Sequence, residues 1–532
     1  MNNKIIVNLF YKNRDASLVF FAVFLLFSII QFSSGNLAGN DSHLYIKLAE
    51  MTKNQGLIKE FPWLNSTVMN SSFTGLHFLY YFFLIPFTFF GNLIFGAKLA
   101  SLFFFSSMVS MFYFVLKTLG LKHNLFWCFL LLSSSGYFLF RMNLARPLSF
   151  SVIFLLLIFY ALVQRNNFLL FITSFLFVWA HASFPLSVVF VFVFVFVNYM
   201  HKKKIYYKTI LASLTGMILA FFVNPFFPNN LNYFNIYYIG SMPYYLTSSI
   251  SEWQPLGINL VFFDTTVVFV LFLALVVIYF VMFVSKISRN TKNKKNETEH
   301  MIIIDFLLII SVVLFIAMFL QGRYIDYWIP FAVLFIAFHA EFLSKNYSLL
   351  VGSPAFSWML SAKYKLKSEC AIFLIVFLGI SFFSKAGFVF SRMGKDGSAK
   401  GIHEISQWLE KNTPKESVVF NVNWGDFSKL FFYNTHNYYI TGLDPKFLYK
   451  LSPEKYWLYS HISEGIVCDE EKCREEDERS VYDIIKKEFS ASYIYVPKNS
   501  ETDYNKLISI LESDQKFDIE YWNDAGEIWA VK

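Results

Sequence analysis

L-H-F-L-Y-Y-F-F-L-I-P-F-T-F-F-G-N-L-I-F (Leu76–Phe95) contains no Asp, Glu, Lys or Arg and is long enough to cross a bilayer. Whether it crosses sets the side on which every later loop lies. Around it, other apolar stretches of span length recur through the first 390 residues, near 17–34, 97–116, 124–140, 147–164, 166–184, 185–200, 205–223, 259–285, 302–321, 324–343 and 369–388. If Leu76–Phe95 stays on one side, the cytoplasmic face receives Lys4, Lys12, Arg14, Lys117, Lys122, Arg165, Lys202–Lys204, Lys208, the basic run Lys286–Lys295 and Lys345–Lys367. That places 19 bases inside and 8 outside. If the stretch crosses, the balance inverts. The positive-inside rule selects the first arrangement: eleven spans, a cytoplasmic N-terminus, an outer first loop over 35–96 and an extracytoplasmic C-terminus.

Composition agrees with a polytopic α-helical membrane protein. Of 532 residues, 56% are hydrophobic, 21% aromatic and only 15% charged, against about 25% charged in soluble domains. A soluble enzyme, a disordered chain and a disulfide scaffold are excluded. Residues 1–390 carry 27 bases and 12 acids, while residues 391–532 carry 18 bases and 25 acids. The two parts therefore read as a transmembrane domain, 1–390, and a soluble α/β domain, 391–532. The positive excess reports topology and calls for no nucleic acid. The first apolar core, Ala16 to Phe32, is too long for a signal peptide and reads as an uncleaved helix. The run V-F-V-F-V-F-V-F-V (Val189–Val197) alternates like a strand, but an isolated strand leaves its backbone unsatisfied in lipid, so a helix is expected.

No acid falls at the centre of a span, which disfavours a proton-coupled transporter and moves any chemistry to the outer face. There, G-N-D-S-H-L-Y-I-K-L-A-E-M places Leu44, Leu48 and Met51 at helical spacing, giving a short amphipathic helix lying on the membrane with Asp41 at its start. Asp41 reads either as the N-cap or as a general base beside a lipid-borne substrate, and the two roles are compatible. His43 is a second polar contact or an exposed residue, and His77 reads as a core histidine. Arg141 and Arg146 bracket the step R-M-N-L-A-R-P, His181 opens the turn H-A-S-F-P, Glu252 and Trp253 lie in S-S-I-S-E-W-Q-P, and Arg323 lies in Q-G-R-Y-I-D-Y-W. Each arginine alone could snorkel to the interface. Three on the outer face, against the positive-inside trend, are better explained jointly by an anionic partner, because the guanidinium fork suits phosphate.

In the tail, a helix is expected near Gly401–Lys411 and strands at Ser417–Asn421, Tyr438–Thr441, Ser492–Val496, Phe517–Trp522 and Glu527–Val531. Trp424, Asp426 and Asp444 then fall at strand ends, where α/β sheets bind ligands, unless the adjacent glycines merely make turns. Cys468 and Cys473, in C-D-E-E-K-C, are expected to pair in an oxidising compartment.

Together these features resemble the GT-C superfamily of integral-membrane glycosyltransferases. Asp41-Ser-His43 with L-Y-I-K-L-A-E is similar to the acidic start of the first outer loop in oligosaccharyltransferase catalytic subunits. S-I-S-E-W-Q-P (Ser249–Pro255) is similar to their S-V-S-E signature, and N-V-N-W-G-D-F (Asn421–Phe427) resembles their W-W-D-Y-G segment. The resemblance implies a multi-pass enzyme of the inner or plasma membrane that moves a sugar, with inversion, from a polyprenyl-phosphate-linked donor to a glycan, lipid or protein acceptor. Asp41 and Glu252 would be catalytic. Arg323, with Arg141 or Arg146, would hold the phosphate, and His43, His181, Trp253, Trp424 and Asp426 would contact substrate. A second outer carboxylate for a metal is expected from the resemblance, yet that loop offers Arg141, Asn143 and Arg146. Asp41 and Glu252 remain as oxygen ligands for a shared Mg²⁺ or Mn²⁺. An oligosaccharyltransferase-like enzyme with a diphosphate donor is the close variant. A lipid-linked-sugar flippase and a non-catalytic assembly protein are the alternatives from other classes.

Overall fold

The computed structural model describes residues 3–75, 77–239, 254–284, 294–346, 366–393, 398–463, 480–498 and 503–532. The chain divides into two compact units, one comprising Met1–Ser33, Ser101–Ala220 and Thr247–Met393, the other Ser34–Ala100, Phe221–Leu246 and Gly394–Lys532.

The described residues of the first unit form helices and the turns between them. Across the described residues of the whole chain, seven helices are long and apolar enough to cross a membrane, or eight if the pair Asn124–Leu132 and Gly136–Met142 counts as one. That pair was expected as one straight span; it is instead bent by 94°. The break has a local cause. The Ser135 hydroxyl caps the second half by accepting from Phe138 N–H at 3.0 Å, and the Asp264 carboxylate accepts from Gly136 N–H at 2.9 Å and Tyr137 N–H at 3.1 Å. Lys385 pairs with the same carboxylate at 3.0 Å. A chain end that would leave amides unsatisfied in an apolar bundle is thus closed by side chains. Three further expected spans are the shorter apolar helices Leu148–Val163, Asn167–Ala180 and Tyr207–Phe222.

The Val/Phe run forms the helix Pro185–Lys202. Phe190 and Phe194 are buried whereas Phe192 and Phe196 are exposed, a helical rather than a two-residue period. Phe190 packs edge-on against Phe331, with ring centroids 4.8 Å apart.

The second unit joins the first outer loop to the tail. Its sheet has the order β2-β1-β3-β5-β4, formed by β1 (Val418–Asn421), β2 (Tyr438–Tyr439), β3 (Tyr493–Pro497), β4 (Phe517–Trp522) and β5 (Gly526–Val531). β1 runs parallel to β2 and β3, and β5 pairs antiparallel with β3 and β4. The first loop extends the β2 edge. Asn65 N–H donates to Tyr439 O and Tyr439 N–H to Trp63 O, both at 2.9 Å, and Leu64 bridges Tyr439 in parallel.

The apolar face of the loop helix, Asn40–Gln55, buries Leu44, Leu48 and Met51. It packs against the helix Phe427–Tyr433 from the tail, with the His43 and Phe432 rings 5.2 Å apart. The sequence assigned that face to a membrane surface; here protein covers it, each large apolar side chain contributing about 1.5–3 kcal/mol on burial. Residues 77–95 do not form one straight helix. Phe78–Leu84 is α-helical, Ile85–Phe90 is 3₁₀, and Leu93 begins a new helix. A Cβ on Gly96 would fall 2.0 Å from Phe87 O, so only glycine permits the chain to fold back that tightly.

Candidate functional site

In the all-helical unit, residues singled out from sequence gather around the start of the helix Ile325–Lys345. Arg141, on the last turn of Gly136–Met142, donates from Nε to both Asp326 oxygens at 3.0 Å and from Nη2 to Oδ2 at 2.8 Å. Both side chains are almost fully buried, at 4% and 1% exposure. Removing either partner would strand a charge in an apolar interior, so the fork of Arg141 is committed to Asp326. One residue on, the Tyr327 hydroxyl donates to Ser183 Oγ at 2.8 Å, and Ser183 Oγ lies 2.7 Å from His181 Nδ1.

Arg323 occupies the 3₁₀ turn Gly322–Tyr324 immediately before this helix and is half-buried. Gly322 N–H donates to Gln254 O at 2.8 Å, and a Cβ at Gly322 would sit 3.0 Å from that oxygen. The closing residues of S-I-S-E-W-Q-P therefore rest on the turn that carries Arg323. Arg146 is half-buried in the turn before Leu148–Val163.

In the second unit, the start of the loop helix meets the W-G-D turn. Asn40 donates from Nδ2 to Gly425 O at 2.9 Å. The turn, Trp424–Asp426, is itself held by Asn423, whose side chain accepts from Gly425 N–H at 2.8 Å. Asp41 lies in the first helical turn, one residue after Asn40, where the helix dipole favours negative charge. Asp41, Trp424 and Asp426 are all half-buried. Burial, and then the charge of Asp426, hold the Tyr495 phenol well above its ordinary value. Asp444, in G-L-D-P, is buried and accepts from the Tyr237 hydroxyl at 2.5 Å and from Lys446 N–H at 2.9 Å. The Lys446 ammonium lies 4.8 Å from the Tyr237 ring centroid.

Similar folds are found in solved structures. Against the Archaeoglobus fulgidus oligosaccharyltransferase tethered to an acceptor peptide containing an NVT sequon, the TM-score is 0.60 at 13% identity, covering 98% of this chain and 74% of that one. The chain has the GT-C fold. ArnT from Cupriavidus metallidurans in the apo state matches this chain with a TM-score of 0.52 at 11% identity over 97% of both chains. The A. fulgidus oligosaccharyltransferase in complex with Zn and sulfate gives 0.53 at 13% identity, covering 96% of this chain and 73% of that one. No known family pattern matches the sequence, and no curated protein is similar to it at sequence level.

Within the GT-C fold, several sequence expectations change. Asp41 is not the N-cap of its helix; Gly39 holds that position, with φ 80°. His43 is fully buried rather than exposed, and its Nδ1 lies 3.1 Å from Gly39 O, so its direct contact is with its own helix start. His77 is tied to Tyr45, whose hydroxyl lies 2.7 Å from its Nδ1. Glu252, Trp253, Cys468 and Cys473 lie outside the described residues. Among the described residues, no three His, Cys, Asp or Glu side chains cluster so as to hold an ion. The donor set for Mg²⁺ or Mn²⁺ is not assembled by them. Sequence reasoning left Asp326, Tyr327, Ser183 and Asn40 unassigned. For Asp326 a signal was available: an acid and an arginine in a bundle with few charges tend to pair.

Proposed function

We propose that this multi-pass GT-C protein is an inverting glycosyltransferase that moves a sugar from a polyprenyl-phosphate-linked donor to an acceptor hydroxyl on the outer face of the membrane. The observation that carries the reading is the seating of the Asp41 helix start on the W-G-D turn through the 2.9 Å Asn40–Gly425 bond. It joins two segments that resemble oligosaccharyltransferase motifs, in a chain whose fold is similar to that of the A. fulgidus enzyme.

In this reading the acceptor oxygen attacks the anomeric carbon from the face opposite the phosphate. The new glycosidic bond forms as the carbon–oxygen bond to phosphate breaks, and the hydroxyl proton passes to the Asp41 carboxylate. Glu252 orients the acceptor. Arg323, with Arg146, receives the charge that grows on the departing phosphate. Arg141 serves by fixing Asp326 and the start of its helix instead of binding phosphate itself. Trp424 and Asp426 contact the acceptor. In this topology the 391–532 region is extracytoplasmic, so an impermeant reagent should label tags there in intact cells, and tags in Lys286–Lys295 only after permeabilisation.

The direct test is transfer by the purified full-length chain from polyprenyl-phosphate-linked sugars. Asp41→Asn should lower the rate about a hundred- to ten-thousandfold, the range for loss of a general base. Its thermal unfolding should change little, by about 1 kcal/mol or less, the scale of a charge at a helix start. An Asn variant with the wild-type rate would overturn the assignment.

A further inference from the structure

Three helices of the helical unit, Thr266–Val284, Lys294–Met318 and Ile325–Lys345, surround a recess lined by Tyr279, Phe283, Met301, Ile304, His339 and Phe342 among others. Counting its open side, its volume is about 270 Å³, whereas the part closed off by protein has room for one water-sized group. His339 lies roughly 20 Å along its helix from the end that carries Arg323, away from the groups assigned above to transfer. No lining side chain is an acid, a lysine or an arginine. The Tyr279 hydroxyl is committed: it donates to Asp305 Oδ1 at 2.8 Å, and the other oxygen of that carboxylate lies 2.6 Å from His201 Nε2. The His339 residue is 1% exposed, and its Nδ1 has no hydrogen-bond partner among the described residues. The rings of Phe335 and Tyr279 stand 5.4 and 5.9 Å from its own, centroid to centroid, and give Nδ1 no polar atom. Whichever tautomer the ring adopts, Nδ1 is a donor or an acceptor, and leaving it unpaired in an apolar interior is costly. Water is a poor partner there, because a buried water is held by about two to four polar groups and the lining offers one uncommitted. Phe283, at the rim, is 63% exposed on a helix apolar enough to span a membrane, so the recess is approached from lipid.

We propose that this recess binds an uncharged long-chain alcohol of the bilayer, whose hydroxyl enters the closed end and hydrogen-bonds His339 Nδ1 while its chain lies across Phe283, Met301 and Phe342. The lining selects that class. A hydroxyl donates to a bare nitrogen or accepts from a protonated one, so it suits either tautomer. A carboxylate or phosphate would give up its hydration for a lining that holds no lysine or arginine. The closed end excludes an end group larger than a hydroxyl, and the Met and Phe side chains bury the apolar chain. The site involves no transfer step and stands independently of the glycosyltransferase reading.

The test uses the full-length chain in phosphatidylcholine nanodiscs, photolabelled with dodecanol that carries a diazirine on its chain, the labelled residues being read by mass spectrometry. Label should fall on Phe283, Met301 or Phe342. Unlabelled dodecanol should displace it about tenfold more effectively than dodecanoate or dodecyl methyl ether, whose end is too large for the closed part. Farnesol and 1,2-dioctanoylglycerol separate a prenyl from a glyceride source of the hydroxyl, and at least one of them should compete. His339→Phe keeps a ring and removes both nitrogens, so it should weaken dodecanol binding about three- to tenfold, as for loss of one neutral hydrogen bond. Met301→Trp, which fills the recess from its side, should abolish labelling. Dodecanol should raise the unfolding midpoint of the wild type and leave that of Met301→Trp where it was. Label confined to other residues, or full dodecanol binding in His339→Phe, would overturn the inference. So would an ether or carboxylate that competes as well as the alcohol, or competition by neither farnesol nor dioctanoylglycerol. Stronger competition by dodecylammonium would assign the ring faces to a cation and overturn it too. Should His339→Phe fail to fold, the comparison of alcohol with ether on the wild-type chain decides.

Discussion

The two units solve the same problem, holding a polar group in place, by different means. In the helical unit the Arg141–Asp326 pair is side chain to side chain and nearly dry. In the other unit the Asp41 helix start is tied through Asn40 to a backbone carbonyl, and the half-buried carboxylate sits in the first turn. A buried pair is a mutual dependence: each charge is tolerable only because the other is present. A half-buried acid at a helix start is reached by water, so losing its charge costs less than breaking a buried pair. The first arrangement should therefore fail in stability, and the second in chemistry.

The strongest way to break that contrast, after Asp41→Asn, is to cut the pair. Asp326→Ala should destabilise the protein by about 3–5 kcal/mol, the cost of an uncompensated buried charge, seen as a lower unfolding midpoint or loss of folded protein from the membrane. The double variant Arg141→Met/Asp326→Leu should recover most of that loss. A double variant as unstable as the single one would mean that the pair does more than neutralise itself.

A smaller effect is expected from Arg323→Lys. Lysine keeps the charge and the interfacial anchoring but loses the planar fork. Loss of such a charge-assisted contact costs on the order of 1.5–3 kcal/mol, so donor affinity or rate should fall roughly ten- to a hundredfold while the unfolding midpoint stays put. Unchanged kinetics would transfer the phosphate role to Arg146. The smallest effect should come from Asn40→Ala, which removes the 2.9 Å bond to Gly425. About 0.5–1.5 kcal/mol is at stake, and the readout that sharpens the contrast is KM for the acceptor, because the W-G-D turn would lose its fixed register against the Asp41 helix start.

The parts of the molecule that were legible in the sequence are those whose signal is local. β4 is found at Phe517–Trp522, where the sequence reading places a strand, and the Val/Phe run is helical because lipid forbids the alternative. The 40–55 helix was visible from Leu44, Leu48 and Met51, but not what covers it, since hydrophobic periodicity names a buried face and not its partner. The same limit hid the site's supports. Arg141 and Asp326 are 185 residues apart, and Asn40 and Gly425 are 385 apart. Of the two readings of His43, exposure is the one that fails, because the residue is buried beside Phe432 and Tyr433, in a helix that no local pattern associates with it. The 94° break near Ser133–Ser135 was read through as continuous helix, because the acid that closes it, Asp264, comes from a distant segment.

The hydrogen bonds that Tyr439 makes with Trp63 and Asn65 place the first loop in a sheet whose strands are made last. At roughly 5–20 residues per second, the ribosome takes on the order of 20–75 s to travel from residue 65 to residue 439. Throughout that interval the face of the 40–55 helix carrying Leu44, Leu48 and Met51 lacks the tail helix that finally covers it. The helical unit can pack as its spans are inserted, whereas the acid-bearing unit is completed only when the tail arrives. Any catalytic geometry at Asp41 is therefore withheld until synthesis is nearly finished, so a chain stalled before its tail carries the acidic motif without the surface that positions it.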